Sequence, residues 1–363
     1  MKQILKAFQK NGFALKNHVV MAPMTRSRAI NNIPNDLMAQ YYQQRSGAGL
    51  IITEGTAPTP EGLGYARIPG IFNAEQIVGW KKTTAAVHAE QSKIFLQLMH
   101  TGRVGHVDNL PTGAVLIGPS NIKAAGQIFT DTAMLQDYSE PQALSTDGIK
   151  SVIAGFVSAA KNAIEAGFDG IELHGANGYL LEQFLNPHVN NRTDEYGGSI
   201  TNRARFVLEL VEQVAAAIGK EKVGVRFSPY STFNDLAAYD PAEVHETYAY
   251  LAKELDKIGI LYLHISVNPE LPQKTFAAIR ANFNNIIIQC NGLSVDSAEM
   301  VLNGGNADLV AFGRPFIANP DFVLRIEKNA PLTQPDFNTA YTPGSLGYTD
   351  YATWVEVESV AVN

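Results

Sequence analysis

The sequence predicts an α/β fold: a single (β/α)8 barrel with a long lid insertion after its third strand. Short runs rich in Val, Ile and Leu recur eight times along the 363 residues, and amphipathic stretches separate most of them. Near-continuous apolarity is typical of strands that are buried on both faces of a parallel sheet. The chain length also suits a barrel of roughly 250 residues with insertions.

Each apolar run is short enough to be a barrel strand. We expect the strands at 19–21, 50–53, 94–98, 170–173, 223–227, 261–265, 286–289 and 309–312. A doubly wound open sheet is the alternative fold. It is disfavoured because no G-x-G-x-x-G follows a strand: Gly62 and Gly64 precede Tyr-Ala-Arg, so Arg67 stands where the third glycine would be.

The stretches between the runs have the periodicity of amphipathic helices. Helices are expected at 36–45, 75–90, 146–166, 201–218, 241–257, 294–302 and 315–328. The clearest stripe, on 201–218, consists of Phe206, Leu210, Val214 and Ala217. The stretch 241–257 begins with Asp240 as a cap and Pro241 in its first turn, which is a helix-start signal.

Two irregular segments are expected to lie over the barrel mouth. The connection 102–145 runs through Gly, Pro, Asn and Ser without a helical pattern, and long irregular connections in compact domains tend to be functional. The aromatic-rich segment 338–351 is a second candidate for covering the same face. We therefore expect one domain over 1–363 whose lid spans about 102–145.

Composition excludes several classes of protein. A net charge of −7 argues against nucleic-acid and anionic-membrane partners, and no apolar run reaches the roughly 20 residues that span a bilayer. The N-terminus lacks the apolar core of a signal peptide, so we expect a cytoplasmic monomer or homodimer. Cys290, the single thiol, excludes internal disulfides and cysteine-rich metal sites, and is expected to be a buried small hydrophobe.

Three polar residues follow the fourth predicted strand, where barrel enzymes place catalytic groups. His174 and Asn177 together can donate two hydrogen bonds to one oxygen, and the Tyr179 hydroxyl can deliver a proton. These groups suit the reduction of a carbon–carbon double bond conjugated to a carbonyl, with a flavin as the hydride source. The alternative is that His174 is a hydrogen-bonded structural residue.

Other strand ends carry groups that suit a flat heteroaromatic ring. Gln97 can satisfy an N–H and a carbonyl together, and Thr25 can donate to a second carbonyl. Arg226 would place a positive charge beside the ring position that becomes anionic on reduction. A buried ion pair or a surface charge is the alternative for Arg226.

The last two strands are followed by glycine-containing loops. Asn291 and Gly292 follow the seventh strand, while Gly313 and Arg314 follow the eighth. Barrels often bind phosphate at this position through backbone N–H groups and the start of a short helix. Ordinary turn chemistry is the alternative for either loop alone.

Two further patterns are a set of three histidines, considered as a zinc site, and a polar loop with a structural role. His100, His174 and His264 follow three strands, but they lack the ligand spacing of a zinc site. The polar stretch 191–198 contains Arg192 and Asp194, which we expect to pin the loop by an ion pair.

Five motifs in this order resemble the flavin-dependent ene-reductases of the Old Yellow Enzyme family, over nearly the full chain. They are MAPMTR at 21–26, QLMHTGR at 97–103, HGANGYLLEQFLNP at 174–187, NRTDEYGG at 191–198 and AFGRPFIANP at 311–320. Thr25, where another branch has Cys, suggests the branch that includes the yeast enzymes and bacterial N-ethylmaleimide reductases.

The resemblance implies non-covalently bound FMN over the barrel mouth and NADPH (or NADH) as co-substrate. His174 and Asn177 would grip the activating oxygen of an electron-poor alkene, and Tyr179 would be the proton donor. Tyr65 and Tyr341 would form aromatic walls. The FMN-binding residues would be Pro23, Met24, Thr25, Gly55, Gln97 and Arg226 for the ring, and Asn291, Gly292, Gly313 and Arg314 for the phosphate.

The chain departs from the family at two positions. Met99 stands where many relatives carry Trp, so the substrate pocket is expected to be roomier there. Gly55 replaces a common Ala beside the ring. The chain also has neither the cysteines nor the length of the larger members that carry an iron–sulfur cluster.

The expected function is hydride transfer from NAD(P)H through FMN to the β-carbon of α,β-unsaturated carbonyl or nitro compounds, followed by protonation of the α-carbon. Two other classes remain as alternatives. A flavin-free barrel lyase or aldolase would need a Schiff-base Lys at a strand end, and none is present. A non-catalytic flavin store or sensor would leave His174 and Asn177 without a task.

Overall fold

The computed structural model describes residues 2–355 and contains a closed barrel of eight parallel strands. Each barrel strand pairs with the next in chain order, and Val310 pairs beside Val19 to close the last strand onto the first. The barrel strands are Val19–Met21, Leu50–Ile52, Lys93–Leu98, Gly170–Gly175, Val223–Phe227, Tyr262–Ser266, Ile286–Cys290 and Leu309–Phe312. The predicted barrel is confirmed, and the open sheet is wrong.

Helices connect the strands on the outside of the barrel. Between residues 2 and 355 the α-helices are Asp36–Gln44 (α1), Ala74–Ala89 (α2), Thr146–Glu165 (α3), Leu180–Leu185 (α4), Ile200–Ile218 (α5), Pro241–Ile258 (α6), Gln273–Asn282 (α7), Val295–Asn303 (α8), Arg314–Ala318 (α9) and Phe322–Lys328 (α10). The cap predicted at Asp240 is present, since its side chain accepts the Ala242 N–H at 2.7 Å.

The helix predictions differ from the structure in a boundary, in two missing helices and in one residue of a buried stripe. The single helix expected over 315–328 is broken between α9 and α10, because Pro320 disfavours a helical conformation at the preceding Asn319, which has φ −129° and ψ 83°. The helices α4 and α7 were not predicted. On α5 the buried stripe includes Ala215, while Ala217 is only half-buried.

Alternation along the strands creates two apolar cores. Side chains that point outward, such as Leu173 and Val225, belong to a large core that also contains Phe206 of α5. The inward-pointing apolar side chains form a smaller core that contains Val20, Leu50, Ile52, Phe95, Tyr262, Ile286, Ile288 and Leu309. An N-terminal hairpin, Phe8–Lys10 with Phe13–Leu15, adds Phe8 and Leu15 to that inner core.

The long connection after the third strand is irregular with short strands. It contains an antiparallel hairpin of Gln127–Thr130 with Met134–Asp137, and a parallel pair of Ile117–Gly118 with Gln142–Ala143. The loop 191–198 is pinned as predicted, because Arg192 Nε donates to Asp194 Oδ1 at 3.0 Å.

The C-terminal segment is held on the barrel by two buried arginines. Arg28 donates to the carbonyl oxygens of Thr339 at 2.7 Å and Leu346 at 2.9 Å, and Arg26 donates to that of Gly347 at 2.8 Å. Elsewhere, the helices between residues 2 and 355 include none that is long and apolar enough to cross a bilayer.

Candidate functional site

A cavity of about 840 Å³ opens at the carboxyl-terminal ends of the barrel strands. Residues that leave successive parallel strands converge at this end, so side chains distant in sequence share one space. The predicted site residues that line the cavity are Pro23, Thr25, Tyr65, Gln97, Met99, His174, Asn177, Tyr179, Arg226 and Tyr341. The C-terminal segment covers this face as expected, since Tyr341 belongs to it.

Tyr179 is a buried phenol in the wall of the cavity. Its hydroxyl donates a hydrogen bond to the Tyr65 hydroxyl at 3.1 Å. Burial raises the pKa of Tyr179. Burial also raises the pKa of Tyr65 well above its usual value. Both phenols therefore keep their protons at neutral pH, and Tyr179 can act as a proton donor.

His174 is a neutral imidazole packed edge-on against Tyr179, with 4.9 Å between the ring centroids. Burial lowers the pKa of His174 well below its usual value, and the positive charges of Arg226 and His264 lower it further. Its Nδ1 is buried without a hydrogen-bond partner among residues 2–355. A neutral imidazole carries one N–H, so His174 can donate one hydrogen bond to a ligand.

The turn after the fourth strand is built to present Asn177. This residue has a left-handed conformation with φ 58°, which Asn tolerates better than most residues, and Gly178 follows with φ 77°. The Asn177 N–H donates to Ser228 Oγ at 2.8 Å, and the Gly178 N–H donates to Glu182 at 2.7 Å. Ser228 Oγ in turn donates to Glu182 at 2.9 Å. The backbone of the turn is thereby fixed, with the Asn177 side chain on the cavity wall.

Gln97 and Arg226 form the polar floor of the cavity. Gln97 donates from Nε2 to Glu172 at 2.8 Å, which leaves its amide oxygen free to accept. Arg226 is only 5% exposed, so it is no surface charge, and its Nη2 approaches the Cys290 sulfur at 3.8 Å. Its Nε has no hydrogen-bond partner in the described part of the chain. Buried unpaired donors beside a cavity fit a ligand rich in oxygen and nitrogen acceptors, as a flavin ring is.

The predicted phosphate loops lie next to each other but outside the cavity lining. They follow neighbouring strands, which pair Cys290 with Ala311. Asn291 has φ 75°, Gly292 has φ 65°, and a Cβ added to Gly292 would meet nothing within 4 Å. Arg314 is exposed in the first turn of α9. Open space beside backbone N–H groups, with a nearby guanidinium, fits a phosphate.

Met24 and Gly55 also lie outside the cavity lining, and each lies beside another predicted residue of the site. A Cβ on Gly313 would come within 3.3 Å of the Met24 sulfur, so these two are in contact. A Cβ on Gly55 would come within 2.5 Å of the Met99 sulfur. The two departures from the family pattern, Gly55 and Met99, therefore touch each other.

Several cavity residues were not predicted. Arg67 pairs with Asp131 of the hairpin and donates to the Tyr341 carbonyl oxygen at 3.0 Å, so it ties together the walls of the cavity. Asn234 is outside the lining, but it donates to the carbonyl oxygen of Asn177, which does line the cavity, at 2.8 Å. Neither stands in a recognisable motif at a strand end, so no pattern distinguished them. Other unpredicted lining residues are Ser27, Ala66, Gln127, Ile128, Phe129, Tyr138, Phe233, Asn338, Thr342 and Pro343.

The histidines considered as zinc ligands have other partners. His264 Nδ1 lies 2.8 Å from Glu172, and His100 Nδ1 accepts the Gly102 N–H at 3.1 Å. Across residues 2–355, no group of three or more His, Cys, Asp or Glu side chains is arranged to hold a metal ion. Cys290 is buried as expected, at 2% exposure.

Comparison with known proteins identifies the family of the chain. The family model of the NADH:flavin oxidoreductase / NADH oxidase family matches residues 5–333. The chain is 41% identical over 366 residues to 12-oxophytodienoate reductase 1 of Oryza sativa subsp. japonica, covering 98% of this chain and 94% of that protein.

Solved structures extend the likeness to three dimensions. A structure of morphinone reductase in complex with tetrahydroNAD superposes with a TM-score of 0.93 and 41% identity, covering 97% of this chain and 98% of that one. The Old Yellow Enzyme homologue from Zymomonas mobilis gives a TM-score of 0.92 and 36% identity, covering 96% and 99%. With the barrel, the cavity and these relatives in agreement, the chain belongs to the Old Yellow Enzyme family of FMN-dependent oxidoreductases.

Proposed function

We propose that this protein is an ene-reductase that uses NADPH, with NADH as the alternative donor, to reduce α,β-unsaturated carbonyl and nitro compounds. The observation that carries the proposal is one cavity lined by a neutral imidazole, a carboxamide and a protonated phenol, above a floor of Gln97 and Arg226. Bound FMN would supply hydride transfer from the nicotinamide to the β-carbon of the substrate. A relative captured with tetrahydroNAD supports a nicotinamide donor.

The FMN ring would be held by the residues at the ends of the first, second, third and fifth strands. Gln97 offers an acceptor and Arg226 offers donors and positive charge, while Thr25 offers a hydroxyl. Pro23, Met24 and Gly55 would supply backbone and packing contacts. The phosphate would be held by Asn291, Gly292, Gly313 and Arg314, with the open space beside Gly292 to receive it.

His174 and Asn177 would bind the activating oxygen of the substrate. Each can donate one hydrogen bond, and the oxygen gains negative charge as hydride reaches the β-carbon. A preorganised donor of this kind contributes about 3 kcal/mol to the stability of the transition state. Because His174 is neutral, it acts as a hydrogen-bond donor and retains its proton. Tyr65, Met99 and Tyr341 would form the walls that select the substrate.

Tyr179 would donate its hydroxyl proton to the α-carbon. Its raised pKa keeps the proton in place at neutral pH, and its contact with Tyr65 orients the hydroxyl in the cavity. Tyr65 accepts that hydrogen bond when no substrate is bound, which holds the Tyr179 hydroxyl in position. In the substrate complex the α-carbon would receive the proton in place of the Tyr65 oxygen.

The segment 102–145 is proposed as a lid because its hairpin contributes Gln127, Ile128 and Phe129 to the cavity. The single-domain organisation, the cytoplasmic location and the monomeric or homodimeric state stay predictions.

The test is Tyr179→Phe in protein loaded with FMN, measured as two separate half-reactions by stopped-flow absorbance near 450 nm. Reduction by NADPH should be nearly unchanged, because that step needs no proton from Tyr179. Reoxidation by an enone such as 2-cyclohexenone should slow by roughly 10²-fold. Tyr138→Phe, in the same cavity wall, is the matched control and should keep both half-reactions.

Equal losses in both half-reactions of Tyr179→Phe would refute the proton-donor role. If enones and nitroalkenes fail to reoxidise the unaltered protein, the ene-reductase proposal itself is wrong and a flavin store is favoured.

A further inference from the structure

A layer of polar side chains includes the floor of the cavity and continues inside the barrel. Four successive strands, from the third to the sixth, contribute Gln97, Glu172, Arg226 and His264, all 5% exposed or less. Barrel interiors are ordinarily filled by Val, Ile and Leu, as the rest of this inner core is. A buried polar layer therefore calls for a function beyond packing.

Glu172 is the centre of this layer. One carboxylate oxygen accepts from Gln97 Nε2 at 2.8 Å, and the other lies 2.8 Å from His264 Nδ1. Both Glu172 and His264 are completely buried. Taking two charges out of water costs several kcal/mol per ion, so such a pair is weak as a stabilising device. Its retention inside the barrel points to a role at the neighbouring cavity.

The first effect of Glu172 is on the orientation of Gln97. An ionised carboxylate only accepts hydrogen bonds, so Gln97 has to turn its NH2 group toward Glu172. The Gln97 oxygen is thereby directed away from Glu172, as an acceptor for a ligand. A side-chain amide without such a partner can turn either way.

The second effect is on charge. Burial lowers the pKa of His264, but the adjacent Glu172, together with Cys290, outweighs burial and the net shift is upward. Burial raises the pKa of Glu172, while His264, Arg226 and Gln97 outweigh it and hold the carboxyl ionised. The nearby Tyr262 phenol stays neutral, because burial raises its pKa well above the usual value. With Glu172 neutralised by His264, the charge of Arg226 faces the cavity uncompensated.

We propose that Glu172 and His264 are positioning residues for the flavin: Glu172 fixes Gln97 as a hydrogen-bond acceptor toward the ring, and His264 cancels the Glu172 charge so that Arg226 stabilises the reduced, anionic ring. This inference rests on the proposed FMN site. It assigns neither residue a contact with the flavin or the substrate.

The test measures the midpoint potential and the dissociation constant of bound FMN at pH 6.5, where the raised pKa of His264 keeps its imidazole mostly protonated. His264→Gln leaves the Glu172 carboxylate to offset Arg226, so the preference of the site for reduced over oxidised FMN should fall on the order of tenfold. Glu172→Gln removes the carboxylate, and without this neighbouring negative charge the buried His264 is expected to be neutral. The potential should then change little, while FMN binding weakens by roughly tenfold because Gln97 is free to turn.

The double variant Glu172→Gln/His264→Gln replaces the ion pair with two neutral amides and restores the net charge. Its potential should return to that of the unaltered protein. His88→Gln is the matched control, because His88 also pairs with a carboxylate, Asp169 at 2.9 Å, which stands just before the fourth strand at the opposite end of the barrel. Its potential and FMN affinity should be unchanged.

An unshifted potential in His264→Gln would overturn the inference, and so would a double variant that keeps the lowered potential. An equal shift in His88→Gln would also overturn it, since the effect would then be non-specific. If the unaltered protein binds no FMN at all, the proposed function fails together with this inference; flavin binding with unshifted potentials removes the inference alone.

Discussion

At the residue scale, Gly55 and Met99 share one small volume beside the cavity. Met99 is 1% exposed, and its thioether occupies the place that a Cβ on Gly55 would take. The thioether is flexible, so a larger residue at position 55 would displace it toward the cavity. The two positions therefore determine the shape of this wall jointly.

We predict that Gly55→Ala costs about 1 kcal/mol of unfolding free energy, at the low end for overpacking, because the closest atoms it would meet are the flexible end of Met99. The cost should shrink in a Met99→Ala background, where the clashing atoms are gone, giving a non-additive double-mutant cycle by urea denaturation. Gly47→Ala is the control, since its Cβ would meet only Val323 at an ordinary 3.5 Å. Additive costs would show that the two residues are independent.

Individual site residues were predictable where they end a strand. His174, Gln97 and Arg226 each follow or end an apolar run, and barrel geometry alone places such residues at one mouth. Glu172 and His264 were not predicted as partners, because each is a single polar residue within an apolar strand and register decides what it faces. The signal was present, however: a charged residue inside an apolar run is rarely left unpaired.

At the element scale, the turn that carries the proposed catalytic groups depends on α4. Glu182 of this short helix accepts hydrogen bonds from the Gly178 N–H at 2.7 Å, Ser228 Oγ at 2.9 Å and Tyr248 Oη at 3.0 Å. Burial raises the pKa of Glu182 to about 7, although these hydrogen bonds oppose the shift. The helix was missed in the sequence because its six residues make fewer than two turns, too few for a helical stripe to be recognised.

The raised pKa predicts a pH dependence of stability. Between the unfolded value of 4.5 and about 7, the folded protein binds more protons at Glu182 than the unfolded chain does. The contribution of Glu182 is thus fully present below pH 4.5 and lost as pH rises through 7. It amounts to roughly 3 kcal/mol.

Urea unfolding of Glu182→Gln should accordingly show a smaller fall in stability between pH 5 and pH 8 than the unaltered protein. The buried Glu54, whose pKa burial also raises to about 7, contributes equally to both proteins and cancels in the comparison. Glu246→Gln, at an exposed position of α6, should leave the profile unchanged. Parallel profiles for Glu182→Gln and the unaltered protein would contradict the assignment.

The boundaries of the helices and strands agreed with those predicted from the sequence where the apolar pattern was strong. The eight strands were predicted to within about two residues, because buried parallel strands need continuous apolar runs. The helix α7 was missed since only Thr275 and Ile279 on it are fully buried, which leaves almost no stripe to detect. The break between α9 and α10 was signalled by Pro320, but the amphipathic pattern on both sides concealed it.

At the scale of the whole molecule, the two ends of the fold meet at the cavity. Arg28, just beyond the first barrel strand, donates to carbonyl oxygens from Thr339 to Leu346, and so holds the segment that carries Tyr341. Sequence patterns could place this segment near the mouth by its aromatic content, but they could not reveal the anchoring. Buried arginines bonded to backbone carbonyls leave no periodic signature.

We predict that Arg28→Met loosens this segment more than the rest of the protein. Amide hydrogen exchange over 339–347 should accelerate, and KM for the enone should rise more than kcat falls, because Tyr341 loses its fixed position. Arg205→Met, which removes an exposed contact to the Glu195 carbonyl oxygen, is the control. Unchanged exchange in 339–347 would show that Arg26 alone suffices.

The closure of the barrel also determines when the cavity is completed during protein synthesis. The eighth strand pairs with the first, and residues 341–343 complete the cavity wall. A nascent chain emerging from the ribosome thus has no finished cavity until residues 341–343 have been translated. We therefore expect flavin to be loaded only after these residues have been synthesised, onto a protein that has already folded without it.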